Sequence, residues 1–252
     1  MSSWIEFWGR PHAIYVNQRN LEAHFDRLAS DIEPLLPDRA DSRVLDWGCG
    51  DALCAGRLSA RIGTLFLYDA VEAVRARLGQ RLGDHPRIRV LDPGDLAALP
   101  DSSLDMILVV SVLQYLDAGQ LSAAMRDWHR LLKPDGRLLI ADVIEPDTPV
   151  LRDVLSQLRF ARANGFLGAA LLGLVRMALS DYGRVRRQAG FSTYRPDTML
   201  GLLRGAGFAA ERLPRNVGPT PHRNSFMARR APASQDDRGA ASPPKVQNRL
   251  AP

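Results

Sequence analysis

Cysteine is scarce in this 252-residue chain, with only Cys49 and Cys54 present. No second cluster of cysteine or histidine completes either one into a metal site, and two thiols five residues apart are not a disulfide framework. Both are expected to stay reduced near the start of one helix, and no metal is expected. The N-terminus MSSWIEFWGRPH has no basic stretch followed by an apolar run, so no signal peptide is read and the chain is expected to be cytoplasmic. Internal repeats are absent. No apolar run reaches the length of about 20 residues that a membrane span needs. The strongest run, 165–179 (GFLGAALLGLVRMAL), is too short and carries Arg176.

What is present is ordinary globular composition, 46% hydrophobic and 24% charged, enough to bury one full core. The formal charge is +5. Much of it is peripheral: in 229–252 five cations face Asp236 and Asp237, which leaves +2 for the rest of the chain. A basic tail of this kind is usually solvated, so nucleic acid is not expected as the main partner. Residues 231–252 are polar and rich in proline and alanine, and are expected to be disordered.

From residue 17 to about 33 the spacing of Leu21, Phe25, Leu28 and Ile32 is helical, and Pro34 and Pro37 end it. Strand-like apolar runs follow at 43–47, 64–68, 87–91, 104–110 and 137–144. Helical runs at 52–60, 71–82, 119–132 and 197–205 alternate with them. Runs such as MILVV suit strands covered on both faces, and the alternation predicts a parallel sheet between two helical layers. After Gly207 the pattern changes. Segments 208–213 and 225–229 have no helix between them and are expected to pair as an antiparallel hairpin. A mostly helical insertion is expected over 149–190.

The chemistry concentrates in VLDWGCGDALCAGRL at 44–58. A buried strand ends in Asp46, and Gly48–Cys49–Gly50 then turns into a helix. Glycine allows a sharp turn and close approach of a ligand. A second acid, Asp69, ends the next strand, where it can accept from ribose hydroxyls. A dinucleotide turn wants a further glycine where Leu53 stands. A carboxylate before the turn suits an ammonium-bearing ligand.

These residues resemble the class I S-adenosylmethionine (SAM)-dependent methyltransferases, in the branch with ubiquinone-type and many small-molecule enzymes. VLDWGCG is similar to the family's glycine motif and LYDA at 67–70 to its second-strand acid. GDLAALPDSSLDMILVVSVLQYL at 94–116 and LLKPDGRLLIADV at 131–143 are similar to the motifs that follow. The resemblance implies a Rossmann-like, mostly parallel seven-stranded α/β sheet with helices on both faces, a C-terminal antiparallel hairpin and a helical lid insertion. It implies an N-terminal cap and helix at 1–40 and a SAM-binding domain at 41–230.

Carried over by residue, Asp46, Gly48 and Gly50 line the methionine part of SAM. Asp69 accepts from the ribose, Ala70 lies against the adenine, Asp95 accepts from the adenine amino group, and Leu96 is near the ring. Ser111 and Val112 form the floor near the sulfonium, and Tyr15 caps the pocket. The chain departs from the family at Ala52, where a third glycine is common, and at Gln114–Tyr115, where an aromatic or histidine pair is common. Tyr115 and His12 are the side chains that could act as a base, although the reaction need not use one. Asp105 and His129 are expected to be structural, and Lys133–Pro134–Asp135–Gly136 is expected to be a turn.

The implied reaction is methyl transfer from SAM by in-line displacement to a small, apolar or amphipathic molecule. Two rival readings are a non-catalytic scaffold with a SAM-type fold and a nicotinamide-dependent oxidoreductase. The apolar segment can be a lid, a helix packed on the core, or a peripheral membrane contact through 165–187 with Arg184, Arg186 and Arg187 near headgroups. The sequence carries no signal for an oligomeric state.

Overall fold

Apolar strands that must be covered on both faces end up at the centre of a seven-stranded sheet. A computed structural model describes residues 18–146, 148, 150–165, 167–168 and 192–232. The strands are β1 (Arg43–Trp47), β2 (Thr64–Tyr68), β3 (Ile88–Leu91), β4 (Leu104–Val110), β5 (Leu132–Val143), β6 (Phe208–Arg212) and β7 (Asn224–Arg230). Their order is β3-β2-β1-β4-β5-β7-β6. The first five run parallel, while β7 pairs antiparallel with both β5 and β6. The expected closing hairpin is therefore present.

The helices are α1 (Gln18–Ile32), α2 (Ala55–Ser59), α3 (Glu72–Leu82), α4 (Pro93–Ala98), α5 (Ala118–Leu131), α6 (Val150–Ala163) and α7 (Pro196–Gly205). Side chains alternate across a strand, and that alternation splits the core in two. Val44, Leu65, Leu67, Met106, Leu108 and Leu139 point to one face, where Leu28, Ile32, Leu58 and Val74 of α1 to α3 meet them. Leu45, Phe66, Ile107, Val109, Leu138 and Ile140 point to the other, against Trp128 of α5 and Met199 and Leu203 of α7.

Several expected boundaries change. The helix expected from 52 begins only at Ala55, because Gly50 (φ +54°) and Ala52 (φ +43°) keep the chain turning. Helix α4 was not expected from periodicity. It is short, and a capping box fixes it: Asp92 accepts from the Asp95 N–H, and Asp95 from the Asp92 N–H. Lys133–Pro134–Asp135–Gly136 is not a turn between elements but part of β5. Leu132 pairs with Leu104 and Arg137 with Met106, so the strand holds its partner on both sides of a register shift. Of the insertion, α6 and residues 164, 165, 167 and 168 are described. Most of 165–187 lies outside the described residues, as do His12, Tyr15 and the tail from 233 onward.

Asp105 lies at the start of β4, on the edge of the sheet where the parallel strands begin. It is buried, accepts from the Arg43 N–H at 2.8 Å and pairs with Lys133 at 2.7 Å. That supports the structural role expected for it. Asp105→Ala leaves the Arg43 donor without its acceptor and should lower unfolding free energy by roughly 2–3 kcal/mol in denaturant titrations.

Candidate functional site

In an open parallel sheet, ligands settle beyond the carboxyl ends of the strands, where the strand order reverses. Here the reversal lies between β1 and β4, and the loops after those strands carry the expected residues. Gly48 sits at φ +77° directly after β1. A Cβ there would lie 2.6 Å from Val112 Cγ2, so the β1 turn and the β4 end are in close contact at this point. The turn is tied to the next strand: the Gly48 and Cys49 N–H groups donate to the Tyr68 carbonyl at 2.7 and 3.1 Å. Ala52, where a third glycine is common in the resembled family, also has a left-handed φ. Glycine suits that position for a conformational reason.

Asp69 follows β2 and closes the loop. Its carboxylate accepts from the Gly50 N–H at 3.0 Å and from the Val71 N–H at 2.9 Å. Burial raises its pKa, and those two donors oppose the rise. Each oxygen keeps lone-pair capacity for a ligand hydroxyl.

Asp46 is different. It is half-buried at the end of β1, and among the described residues no hydrogen bond or ion pair reaches its carboxylate. Burial first, and the charge of Asp69 second, push its pKa up to about 7. A desolvated acid with no cation beside it is matched to a cationic ligand group. The thiols carry no comparable reactivity. Burial pushes Cys49 well above the usual thiol range and Cys54 up to about 12, so both stay protonated.

The other expected residues that are described follow the carboxyl ends of β2, β3 and β4. Ala70 is exposed beside Asp69. Asp95 is the exposed third residue of α4, and Leu96 packs partly against the core. Ser111 (φ +58°) and Val112 follow β4, and a single 3₁₀ turn (Leu113–Tyr115) follows them. Gln114 is buried and donates to the Ser111 carbonyl at 2.7 Å, so it fixes that turn. Tyr115 is half-buried on the same turn. His129 is far from this edge. It ends α5 at the opposite side of the sheet, edge-on to Phe208 at 5.2 Å, as expected of a packing histidine.

Two groups of residues escaped the sequence reading. The first comes from α3. Arg75 donates to the carbonyls of Asp69 and Ala70 at 2.8 and 3.0 Å, Arg81 donates to the Asp51 carbonyl, and Arg77 pairs with the Asp51 carboxylate at 3.6 Å. Three arginines on one short helix just after an acidic strand end were the available signal. The second is a buried polar network at the end of β5. Asp142 accepts from Ser111 Oγ at 2.7 Å, Arg223 Nη1 at 2.6 Å and Asn216 Nδ2 at 3.3 Å. Its partners lie 31 to 81 positions away in sequence, so no local pattern announces them. Among the described residues no group of three histidine, cysteine or acidic side chains could hold a metal.

Comparison with known proteins agrees with this geometry. A methyltransferase domain model matches residues 45–140, from β1 into β5. An uncharacterized methyltransferase of Geobacillus thermodenitrificans is 26% identical over 166 residues, covering 65% of this chain and 73% of its own. A malonyl-[acyl-carrier protein] O-methyltransferase of Laribacter hongkongensis is 30% identical over 208 residues, covering 72% of this chain and 66% of its own. Among solved structures, the 1,6-didemethyltoxoflavin-N1-methyltransferase of Burkholderia thailandensis, with 1,6-didemethyltoxoflavin and S-adenosylhomocysteine bound, shares the fold. Its TM-score is 0.52 at 21% identity, with 84% of this chain and 80% of that chain covered. The matched range takes in the glycine turn and both strand-end acids, and the relatives are methyltransferases: this chain belongs to the class I SAM-dependent methyltransferases.

Proposed function

We propose that the chain methylates a small, apolar or amphipathic molecule, with SAM held in the crevice between the β1 and β4 loops. The observation that carries this reading is Asp46, a desolvated carboxylate without a cation, set two residues before Gly48, where a side chain would run into Val112. SAM brings an ammonium and, when bound, supplies an electrophilic methyl on its sulfonium.

Asp46 pairs with the ammonium, and Gly48 and Gly50 let the backbone approach the methionine part. Asp69 accepts from the ribose hydroxyls with the lone pairs its backbone donors leave. Ala70, Asp95 and Leu96 border the adenine, and Asp95 can accept from its amino group without leaving the capping box. Ser111 and Val112 form the floor near the methyl. Positioning partners in line and excluding water can supply up to about 7–11 kcal/mol of the barrier. Neither Tyr115 nor His12 is needed for that contribution.

The apolar character of the acceptor is supported by the 165–179 sequence. Leu155 and Leu167, in the described part of the insertion, are exposed and add to it. Among the described residues no helix is long and apolar enough to cross a membrane. A cytoplasmic site of action completes the reading.

Removing the Asp69 carboxylate tests the cofactor placement. Asp69→Ala should weaken SAM binding in calorimetric titration by roughly 10- to 100-fold, through lost ribose acceptance and a loosened Gly50 turn. Unchanged affinity would remove Asp69 from the site.

A further inference from the structure

Ser111 follows β4 and Asp142 is the penultimate residue of β5, so the two stand side by side at the carboxyl edge of the sheet. The ladder runs right up to them. Val110 pairs with Ala141, and the Ser111 N–H donates to the Ala141 carbonyl at 3.1 Å. Both residues then leave the extended conformation for the left-handed region, at φ +58° and +63°. Aspartate tolerates that region, because its short polar side chain bonds locally. Serine has no such preference, and an ordinary L residue is penalised there by roughly 5- to 30-fold in population. The conformation persists only where surrounding contacts impose it.

At Ser111 those contacts are visible. Its Oγ donates to Asp142 Oδ2 at 2.7 Å, and its carbonyl accepts from the buried Gln114 amide. Asp142 itself is fixed from the β6–β7 side. Its Oδ2 also accepts from Arg223 Nη1 at 2.6 Å, and its Oδ1 from Asn216 Nδ2 at 3.3 Å. Its N–H donates to Asn216 Oδ1 at 3.2 Å. Asn216 in turn donates to the Thr220 carbonyl and accepts from Ser225 Oγ. The loop that carries Asn216 and Arg223 is anchored on α1, where the Gly218 N–H donates to Asp31 at 3.1 Å. Asp31 is held by its own ion pair with Arg27.

The effect of this tether reaches the crevice through one residue. Val112 follows Ser111, and its Cγ2 lies 2.6 Å from the place where a Cβ on Gly48 would stand. The backbone angle at Ser111 sets the direction in which the chain leaves β4. It therefore sets how Val112 meets the β1 turn.

We propose that Asp142 is a positioning residue for methyl transfer: it holds Ser111 left-handed, keeps Val112 against Gly48, and so preserves the floor of the crevice in the shape that binds SAM. This inference rests on the placement of SAM between the β1 and β4 loops. Without the tether the binding-competent floor is one conformer among several. The apparent affinity then falls by the fraction of molecules that keep it. Arg223 and Asn216 act one step further out, by fixing the Asp142 carboxylate.

Calorimetric titration of the full chain with SAM and with S-adenosylhomocysteine tests the proposal in two pairs of variants. Ser111→Ala removes the tether and keeps the conformational penalty. Ser111→Gly removes both, because glycine takes a positive φ freely. Ser111→Gly should therefore bind both ligands at least about 5-fold more tightly than Ser111→Ala. Asp142→Ala, made alone and together with Ser111→Gly, repeats the comparison from the other end of the bond. The double variant should again bind at least about 5-fold more tightly than Asp142→Ala alone. A merely structural Asp142 would lower the melting temperature, but adding Ser111→Gly would not return affinity. If Asp142→Ala does not fold, the Ser111 pair still decides, because it leaves the buried ion pair intact. Equal affinities in Ser111→Ala and Ser111→Gly would overturn the proposal, as would a double variant that binds no better than Asp142→Ala. Wild type that binds neither ligand would instead remove the placement of SAM on which the inference rests.

Discussion

Replacing Asp46 by asparagine should stabilise the ligand-free protein above pH 7 and at the same time remove most of its affinity for SAM. The two effects share one cause. The folded pKa of Asp46 is about 7, above the ordinary 3.8. Between those values the folded state holds a proton that the unfolded chain releases. Stability therefore falls as pH rises from about 4 to about 7, and the full penalty is present above 7. Three pH units correspond to at most about 4 kcal/mol. In a chain of this size that is several degrees of melting temperature. Asp46→Asn removes the ionisation, so the two melting curves should coincide near pH 4, diverge steadily as pH rises from there, and keep a constant gap above about pH 7.

Binding shows the opposite sign. The ammonium of SAM selects the ionised carboxylate, so wild-type affinity should rise with pH up to about 7. Close to one proton should be released per SAM bound at pH 6, measurable by calorimetry in two buffers of different ionisation enthalpy. Asp46→Asn should release none, and should bind SAM about 30- to 150-fold more weakly at pH 7.5, the cost of one charge-assisted contact of roughly 2–3 kcal/mol. A variant that gains stability but keeps full affinity would place the ammonium elsewhere.

Gly48→Ala should be among the most damaging single substitutions in the sheet. Its left-handed φ of +77° costs an L residue about 1–2 kcal/mol. Its new methyl would stand 2.6 Å from Val112 Cγ2, and forcing that contact apart costs roughly 1–3 kcal/mol more. The expected loss is about 2–5 kcal/mol of stability, together with SAM binding, because the β1 and β4 loops would separate at the crevice. The pair can be dissected. Val112→Ala on its own should cost little, since Val112 is only half-buried. Added to Gly48→Ala, it should return the clash contribution but leave the conformational one. A double-mutant cycle by denaturant titration should therefore show coupling of at least about 1 kcal/mol. Simple additivity would mean that the two loops do not touch in solution.

The sequence was most readable where physical constraints are local. Strands β1, β2 and β4 fall on their expected bounds because each has consecutive apolar residues at its centre that are buried on both faces. The glycine turn and Asp69 were legible because turn chemistry and strand ends are written in adjacent residues. Boundaries failed where tertiary contacts decide. Strand β5 extends back through Lys133–Pro134–Asp135–Gly136 because Leu132 pairs with Leu104, and α2 shortens because Ala52 is held left-handed by the loop it ends. Helix α4 is too short for periodicity to show, and only its reciprocal aspartates define it. The Asp142 network was illegible for a different reason. Asp142, Asn216 and Arg223 are unremarkable singly, and the chemistry exists only once β5 and the β6–β7 loop are adjacent.

Thermal unfolding of the purified chain with SAM, S-adenosylhomocysteine, NAD and NADP in separate samples tests the central claim most directly. A ligand at 100 times its dissociation constant stabilises by about 2.7 kcal/mol, which is roughly 5–10 °C here. The account predicts shifts with SAM and S-adenosylhomocysteine and none with the nicotinamide cofactors. A shift with NAD or NADP alone, or none with any of the four, would contradict it.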